Sequence, residues 1–198
     1  MKTSFAILVA LCGAVGLTTA HASNVALGKT VTEQGDFGVA GWGSGILAPG
    51  SSLTDGTFFP ETTQWDQNSV WWDENNPSSV GNTITIDLGG TYTIDSFTVQ
   101  ADDNDTYRVQ YWDSVGSSWV TAWDVPSVPS YGLVTRSTIL GAPITTAGLR
   151  FSATGGDLYY AVSEIQAFGK AVPETGSTLA LASVAFAMLG AIGRKFRA

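Results

Sequence analysis

The central part of the chain alternates apolar and polar residues in short runs, the period-two pattern of half-buried β-strands. The run TITIDLG places Ile84, Ile86 and Leu88 on one face. Similar runs follow along the chain: IDSFTVQA, YRVQYW, SSWVTAW, GLRFSA and AVSEIQAFG. Gly, Asp, Asn and Pro separate these runs, and no helical period of ten residues or more interrupts them. The pattern therefore predicts an all-β sandwich or barrel.

The chain has seven tryptophans, and their surroundings divide them into two groups. Trp65 and Trp119 lie in strand-like patterns and are predicted to be in the core, with Trp123 continuing the face of Trp119. Trp42 and the pair Trp71-Trp72 lie in loop-like sequence. Tryptophans in loops either cover the open ends of a sandwich or present a ring to a ligand.

The N-terminus has the layout of a secretory signal peptide. Lys2 precedes the apolar stretch FAILVALCGAVGL, and Ala20-His21-Ala22 is a cleavage site with small flanking residues. The alternative is an uncleaved membrane anchor, but the stretch is short for a span of about 20 residues. Cleavage would remove the only Cys and the only His. Thiol or imidazole catalysis and His- or Cys-ligated zinc are then excluded.

Acidic residues dominate what remains. Residues 23–170 contain sixteen acidic and five basic residues, a net charge of −11, against −8 for the whole chain. Such a surface disfavours nucleic acid and anionic lipid and suits neutral sugars, cations or basic partners.

The C-terminus combines a short motif, an uncharged segment and a basic end. Thr175–Gly193 contains 19 residues without a charge, just enough to span a bilayer. The flanking residues are Val172, Pro173 and Glu174 before it and Arg194, Lys195 and Arg197 after it. We expect the basic cluster to stay cytoplasmic. The chain thus divides into a signal peptide (1–22), a β-domain (23–169), a junction (170–172) and a tail with a transmembrane helix (173–198).

Five motifs in the domain resemble, in their order, the discoidin or coagulation-factor type C family of galactose-binding-like domains. They are NVALGKTVT, LTDGTFFPETTQW, ITIDLGGTYTIDSFTVQ, YRVQYWDSVGSSWV and LRFSATGGDLYYAVSEIQAFG. The resemblance implies an eight-stranded jelly roll with its first and last strands close together. The sequence departs from the family in an insertion between Asp55-Gly56 and Trp65 and in the aromatic segment NSVWWDENNPSSVGN.

The tail resembles the PEP-CTERM sorting signal, which implies processing by an exosortase in an exopolysaccharide-making bacterium. The segment VPETG also resembles the LPxTG motif of sortases, and a plain C-terminal anchor is a third interpretation. Under the first interpretation, the mature protein lacks residues 179–198 and lies outside the cell.

The family resemblance also implies a structural calcium near the Asp-Gly turn. The matching positions are Asp55, Thr63 and Glu164, with backbone carbonyls around Leu53 and Thr57. Carboxylates and carbonyls are the hard oxygen ligands that calcium prefers. The alternative is that Asp55 only forms a turn and Glu164 is a surface residue.

Sugar binding is predicted for exposed aromatics beside short polar side chains. The candidate aromatics are Trp42, Phe58, Trp71 and Trp72, and the candidate polar residues are Asp103, Asn104 and Asp105. The segment ADDNDTY also fits a second calcium-binding loop or a solvated hairpin turn, but it lacks the glycine and distal glutamate of an EF-hand loop.

Two functions fit this sequence. The first is an exported, non-catalytic carbohydrate-binding module associated with extracellular polysaccharide or the cell surface. The second is a structural or adhesion protein of the extracellular matrix without a sugar pocket. Paired carboxylates can cleave glycosides, but the spacing of the acids distinguishes no pair, so no enzymatic activity is predicted.

Overall fold

The computed structural model describes residues 22–39 and 45–173. The signal peptide, Trp42 and the tail from Glu174 onward lie outside the described residues, so the predictions made for them stay predictions. The described part of the chain contains no α-helix. A search of the same residues found no helix with the length and hydropathy needed to cross a membrane.

Eight β-strands form the domain, joined by loops and two short 3₁₀ turns at Gly50–Thr54 and Pro77–Ser79. The strands are β1 (Ser23–Asn24), β2 (Thr30–Gln34), β3 (Val70–Asp73), β4 (Thr83–Asp102), β5 (Thr106–Asp113), β6 (Ser118–Val125), β7 (Leu133–Gly155) and β8 (Tyr159–Ala171). All the ladders between these strands are antiparallel. The predicted all-β class is therefore confirmed.

Two long strands belong to both layers of a jelly-roll sandwich. The register of β4 against β7 breaks between Asp87 and Tyr92. Before the break β4 pairs with β2, and after it β4 pairs with β8. The two layers of the sandwich therefore share β4 and β7, and each of these long strands runs from one layer into the other. At the other end of the chain, Ser23 of β1 pairs with Gly169 of β8, so the first and last strands are adjacent, as expected.

The core lies between the layers and follows the alternation in the sequence. Ile84, Ile86 and Leu88 are all buried. At the loop end of the core, aromatic rings gather around Trp72, which contacts Phe37, Tyr107 and Tyr160 at centroid distances of 5.4, 6.4 and 5.5 Å. Edge-to-face and tilted contacts of this kind add to the apolar area that each ring buries.

The prediction that Trp119 and Trp123 share a face is wrong. An irregularity in the β5–β6 ladder places Trp123 opposite the buried Val109, whereas Trp119 lies opposite Trp112. Trp123 therefore packs against the core. Trp119 is on the outer face, where the Arg150 guanidinium lies 4.9 Å from its ring. A one-residue bulge reverses the side of every residue beyond it.

Candidate functional site

A cleft of about 270 Å³ opens at the end of the sandwich where β4, β6 and β7 meet their following loops. It is lined by Gln64, Trp65, Tyr131, Asp157 and Tyr159. The first two precede β3, Tyr131 belongs to the β6–β7 connection, and the last two flank the β7–β8 turn. The fold thus brings together three segments that are far apart in the sequence.

Aromatic rings form the walls of the cleft. The rings of Trp65 and Tyr159 lie 6.0 Å apart with an interplanar angle of 35°. Tyr131 is 58% exposed, and its hydroxyl donates to Gln64 Oε1. Flat apolar faces with hydrogen-bonding groups at their edges are the surfaces on which sugar rings stack.

The charged group of the cleft is Asp157. One carboxylate oxygen accepts from the Tyr159 backbone N–H at 3.0 Å, and the other accepts from the Asn104 side-chain amide at 2.9 Å. Each oxygen keeps a second lone pair, and the side chain is exposed. Asn104, one of the predicted binding residues, therefore lies beside the cleft and orients its carboxylate.

Trp71 and Trp72, predicted as exposed stacking residues, are both buried. They belong to β3, a strand covered on both faces, and not to a loop. Trp72 faces the core. Trp71 faces the other way and packs edge-on against Trp65 at 6.0 Å. Their predicted exposure is wrong, and a buried ring has no free face on which a sugar could stack; Trp71 supports the cleft from below.

Phe58 is 37% exposed but does not line the cleft. Its neighbour Phe59 packs on the small apolar cluster of Trp71, Leu133 and Ala161 beneath Trp65. The structure gives Phe58 a surface position without placing it beside the other predicted binding residues.

Asp103 and Asp105 are buried beneath the rim of the cleft, so the prediction that they contact sugar directly is wrong. Asp103 Oδ2 accepts from Ser130 N at 3.0 Å, and its carbonyl accepts from Val128 N at 2.8 Å. These hydrogen bonds fix the β6–β7 connection, which contains Tyr131. Asp105 Oδ1 accepts from Asp157 N at 3.3 Å. Both aspartates thus position the loops of the cleft.

The turn that carries Asp157 needs a glycine. Gly156 has φ +148°, and a Cβ at this position would lie 1.7 Å from Asp105 Oδ1. Only glycine permits that close approach. The GG dipeptide before Asp157 in the sequence therefore marks the contact between the turn and the buried aspartate.

The hydrogen bonds around Asp105 favour its protonated form. The Tyr107 hydroxyl lies 3.1 Å from Asp105 Oδ2 and 3.0 Å from the Ala161 carbonyl, and it accepts from Ala161 N. One hydroxyl hydrogen serves only one of the two oxygens. A proton on Asp105 satisfies all three groups. Burial, with Asp102 and Asp157 nearby, raises the pKa of Asp105 to about 8, and burial beside Asp103 raises the pKa of Asp102 to about 7.

A buried arginine ties these loops together. Arg136 donates to the carbonyls of Asp102, Asp105 and Pro126 at 2.8, 3.2 and 2.9 Å. Its guanidinium lies 5.5 Å from the ring of Tyr107. Because the arginine binds carbonyls from both the β4–β5 turn and the β6–β7 connection, it fixes the relative position of two loops of the cleft.

The predicted calcium ligands are only partly brought together. Glu164 is fully buried; its Oε1 accepts from Gly56 N and Gln166 Nε2 at 3.1 Å each, and its Oε2 has no partner. Burial, with a smaller contribution from the nearby Asp55 carboxylate, raises the pKa of Glu164 to about 7. An unpartnered buried carboxylate oxygen beside a second carboxylate fits a cation, so Asp55 and Glu164 are compatible with calcium.

Thr63 does not fit that site. Its carbonyl accepts from Leu133 of β7 at 2.8 Å, and its hydroxyl donates to Pro60 O. Glu164 is in β8, and β4 lies between β7 and β8. Two strand spacings of about 4.8 Å exceed any calcium–oxygen distance. No group of three or more His, Cys, Asp or Glu side chains suited to a metal occurs in residues 22–39 and 45–173, so carbonyls would have to complete the shell.

Sequence reasoning missed most of the cleft. Tyr131, Asp157, Tyr159 and Gln64 were not among the predicted site residues, and Trp65 was predicted to be in the core. The available signal was the hairpin tip GGDLYY, whose two glycines, aspartate and tyrosines combine a tight turn with groups suited to sugar. A second groove, of about 390 Å³, lies along β4, β7 and β8, but no charged side chain lines it.

No protein-family model matches the chain, and no curated protein matches it. Solved structures share its fold. The family 32 carbohydrate-binding module of NanJ from Clostridium perfringens, in complex with galactose, aligns with a TM-score of 0.52 at 12% identity over 75% of this chain and 98% of that one. The corresponding module of EndoD from Streptococcus pneumoniae gives 0.51 at 16% identity, covering 75% and 100%. A fucolectin from striped bass gives 0.58 at 12% identity, covering 79% and 52%. These structures share the jelly-roll sandwich of this chain, so the predicted jelly-roll fold is confirmed.

Proposed function

We propose that this protein is a non-catalytic carbohydrate-binding module and that the cleft around Trp65 and Tyr159 binds the sugar. One observation supports the proposal above the others: aromatic faces and the Asp157 carboxylate converge in a single open cleft. The structural neighbours that share the fold include modules and a lectin that bind carbohydrate. The other function, a matrix or adhesion protein without a sugar pocket, uses the same fold but leaves the cleft without a role.

The test is a glycan array probed with the full chain and with the Trp65→Ala variant. We expect Trp65→Ala to weaken binding to any glycan retained by the wild type by about 30-fold, the effect of losing a central aromatic contact worth about 2 kcal/mol. Trp119→Ala is the matched control, because it removes a half-buried tryptophan from the opposite layer. A full chain that retains no glycan, or equal losses in both variants, would contradict the cleft and favour the matrix role.

We propose further that the protein is exported and lies at the cell surface or outside the cell, near extracellular polysaccharide. The C-terminal junction supports this. β8 ends at Ala171, and Val172 and Pro173 of the sorting motif are exposed. Proline lacks the backbone N–H that regular structure needs, so it interrupts regular structure at this point. An exosortase-type protease would therefore meet an accessible, extended segment ahead of the membrane-spanning tail.

Calcium at Asp55 and Glu164 is the cofactor that we propose. A bound cation would neutralise the unpartnered carboxylate oxygen of Glu164 and join the Asp-Gly turn to β8. We expect chelation to lower the melting temperature of the full chain by about 5–10 °C, since ligand at a hundredfold excess over Kd contributes about 2.7 kcal/mol. Added calcium should restore it.

The Asp55→Ala variant should lose this response, and Asp87→Ala should keep it. The two positions are matched, because each exposed aspartate accepts a hydrogen bond from the backbone N–H two residues later. A melting temperature that chelator leaves unchanged in calcium-loaded wild type would show that the site does not bind calcium.

A further inference from the structure

We infer that the cleft selects glycans carrying a protonated amine, and that Asp157 is the residue that makes this selection. The inference rests on the proposed function, since it names the class of sugar that the same cleft prefers. It follows from the negative charge of the Asp157 carboxylate and from the positions of the basic side chains among the described residues, none of which lies at the cleft opening.

The carboxylate of Asp157 is fixed at the mouth of the cleft. The backbone N–H of Tyr159 and the amide of Asn104 hold one oxygen each, and Asp105 accepts from the Asp157 backbone N–H. A carboxylate held on both oxygens does not have to lose rotational freedom when a ligand binds, so a new hydrogen bond to its open lone pairs costs little entropy. It is also an acceptor only, and therefore needs a donor from the ligand.

No basic side chain of the described residues offsets this charge. Arg136 lies beside the loops of the cleft, but it is buried, and both of its terminal nitrogens donate to backbone carbonyls. The other four basic residues in 22–39 and 45–173 are held at other places: Lys29 at Tyr92, Arg108 at Asp124, Arg150 at Gln110, and Lys170 at the far end of β8.

A second carboxylate, that of Asp73, adds to the negative potential beside Tyr159. Asp73 and Asp157 both act electrostatically on the Tyr159 ring hydroxyl that borders the cleft. A pocket with negative charge and no nearby cation attracts an ammonium group and repels a carboxylate or sulfate. When a hexosamine ring stacks on an aromatic face, its amine projects from the ring edge, where Asp157 lies beside Tyr159. Uronic acids and sulfated sugars would place a like charge there.

The test compares a glucosamine tetramer with the N-acetylglucosamine tetramer of the same length, titrated calorimetrically into the full chain at about pH 6. At about 20 mM salt we expect the glucosamine tetramer to bind about fivefold more tightly, the gain that an exposed ion pair provides. The difference should shrink at about 300 mM salt, because screening weakens exposed charge pairs.

Two variants separate this inference from the proposed function. Asp157→Asn keeps the shape of the side chain and removes its charge, so it should bring the affinities for the two tetramers to about the same value. Asp124→Asn, which removes an exposed carboxylate outside the cleft, should keep the preference. Equal affinities in the wild type, a preference that survives in Asp157→Asn, or no binding of either tetramer would each overturn the amine selection. The proposed function fails separately, when the array shows no glycan whose binding depends on Trp65.

Discussion

Replacing Trp72 with alanine should lower the free energy of unfolding by about 3–5 kcal/mol, the usual cost of removing a buried tryptophan. Trp72 is 1% exposed and contacts three other aromatic rings that cannot collapse into its space without moving β3, β5 or β8. For a domain of this size, we expect a fall of about 10 °C in the melting temperature. Chemical denaturation of the full chain measures the free energy of unfolding, and a thermal melt measures the melting temperature.

The matched substitution is Trp72→Phe. It keeps an aromatic ring in the core and removes an indole N–H that has no hydrogen-bond partner, so the loss should stay below about 1.5 kcal/mol. If Trp72→Ala instead left stability unchanged and weakened sugar binding, the ring would have to be exposed in solution, and the structural assignment of Trp72 to the core would be wrong.

Replacing Arg136 with methionine should also lower the free energy of unfolding by about 3–5 kcal/mol, because removal of one partner of a buried polar network leaves the others unsatisfied. Three carbonyls lose a donor, and the buried Asp102 loses the cation that lowers its pKa. Arg108→Met is the control. Arg108 pairs with Asp124 at the surface, with side chains 40% and 63% exposed, and exposed pairs contribute about 0–1 kcal/mol.

The dependence of this effect on pH gives a second readout. The folded-state pKa values of Asp102 and Asp105 are raised to about 7 and about 8. A raised pKa means that the folded chain binds protons more tightly than the unfolded chain, so these groups favour folding at low pH and the contribution is lost as pH rises through those values. Arg136 lowers the pKa of Asp102, so Arg136→Met raises that pKa further, and the loss of stability with rising pH should become larger and extend to higher pH. Equal destabilisation by Arg136→Met and Arg108→Met at all pH values would contradict the buried network.

The strands could be predicted from the sequence because their signal is local. The alternation in TITIDLG reports which side of one strand faces the core, and Ile84, Ile86 and Leu88 are buried as it predicts. The same rule failed at Trp123, because the irregularity in the β5–β6 ladder depends on the partner strand. It failed at Trp71 and Trp72 for a related reason. A strand covered on both faces has no alternation, and two adjacent tryptophans then resemble a loop.

The cleft was harder to predict than the fold, because its residues meet only after the loops have been placed. Tyr131 and Asp157 are 26 positions apart, and the sequence around each of them is that of an ordinary turn. The acidic segment 102–105 is evident in the sequence, but the sequence does not show that Asp103 and Asp105 are buried. The carboxylates of this segment can be read from the sequence. Their inward position depends on contacts with the Arg136 guanidinium and the Gly156 backbone, and these contacts form only in the folded chain.

β8 sets the direction in which the domain would present its cleft. Tyr159, at the first position of this strand, borders the cleft, and Ala171, at the last, is followed directly by the exposed Val172 and Pro173. Thirteen residues of extended chain span up to about 40 Å. An attachment at the C-terminus would thus lie at the end of the domain opposite the cleft. The opening would face outward, and a polymer could approach it without first crossing the surface to which the protein is fastened.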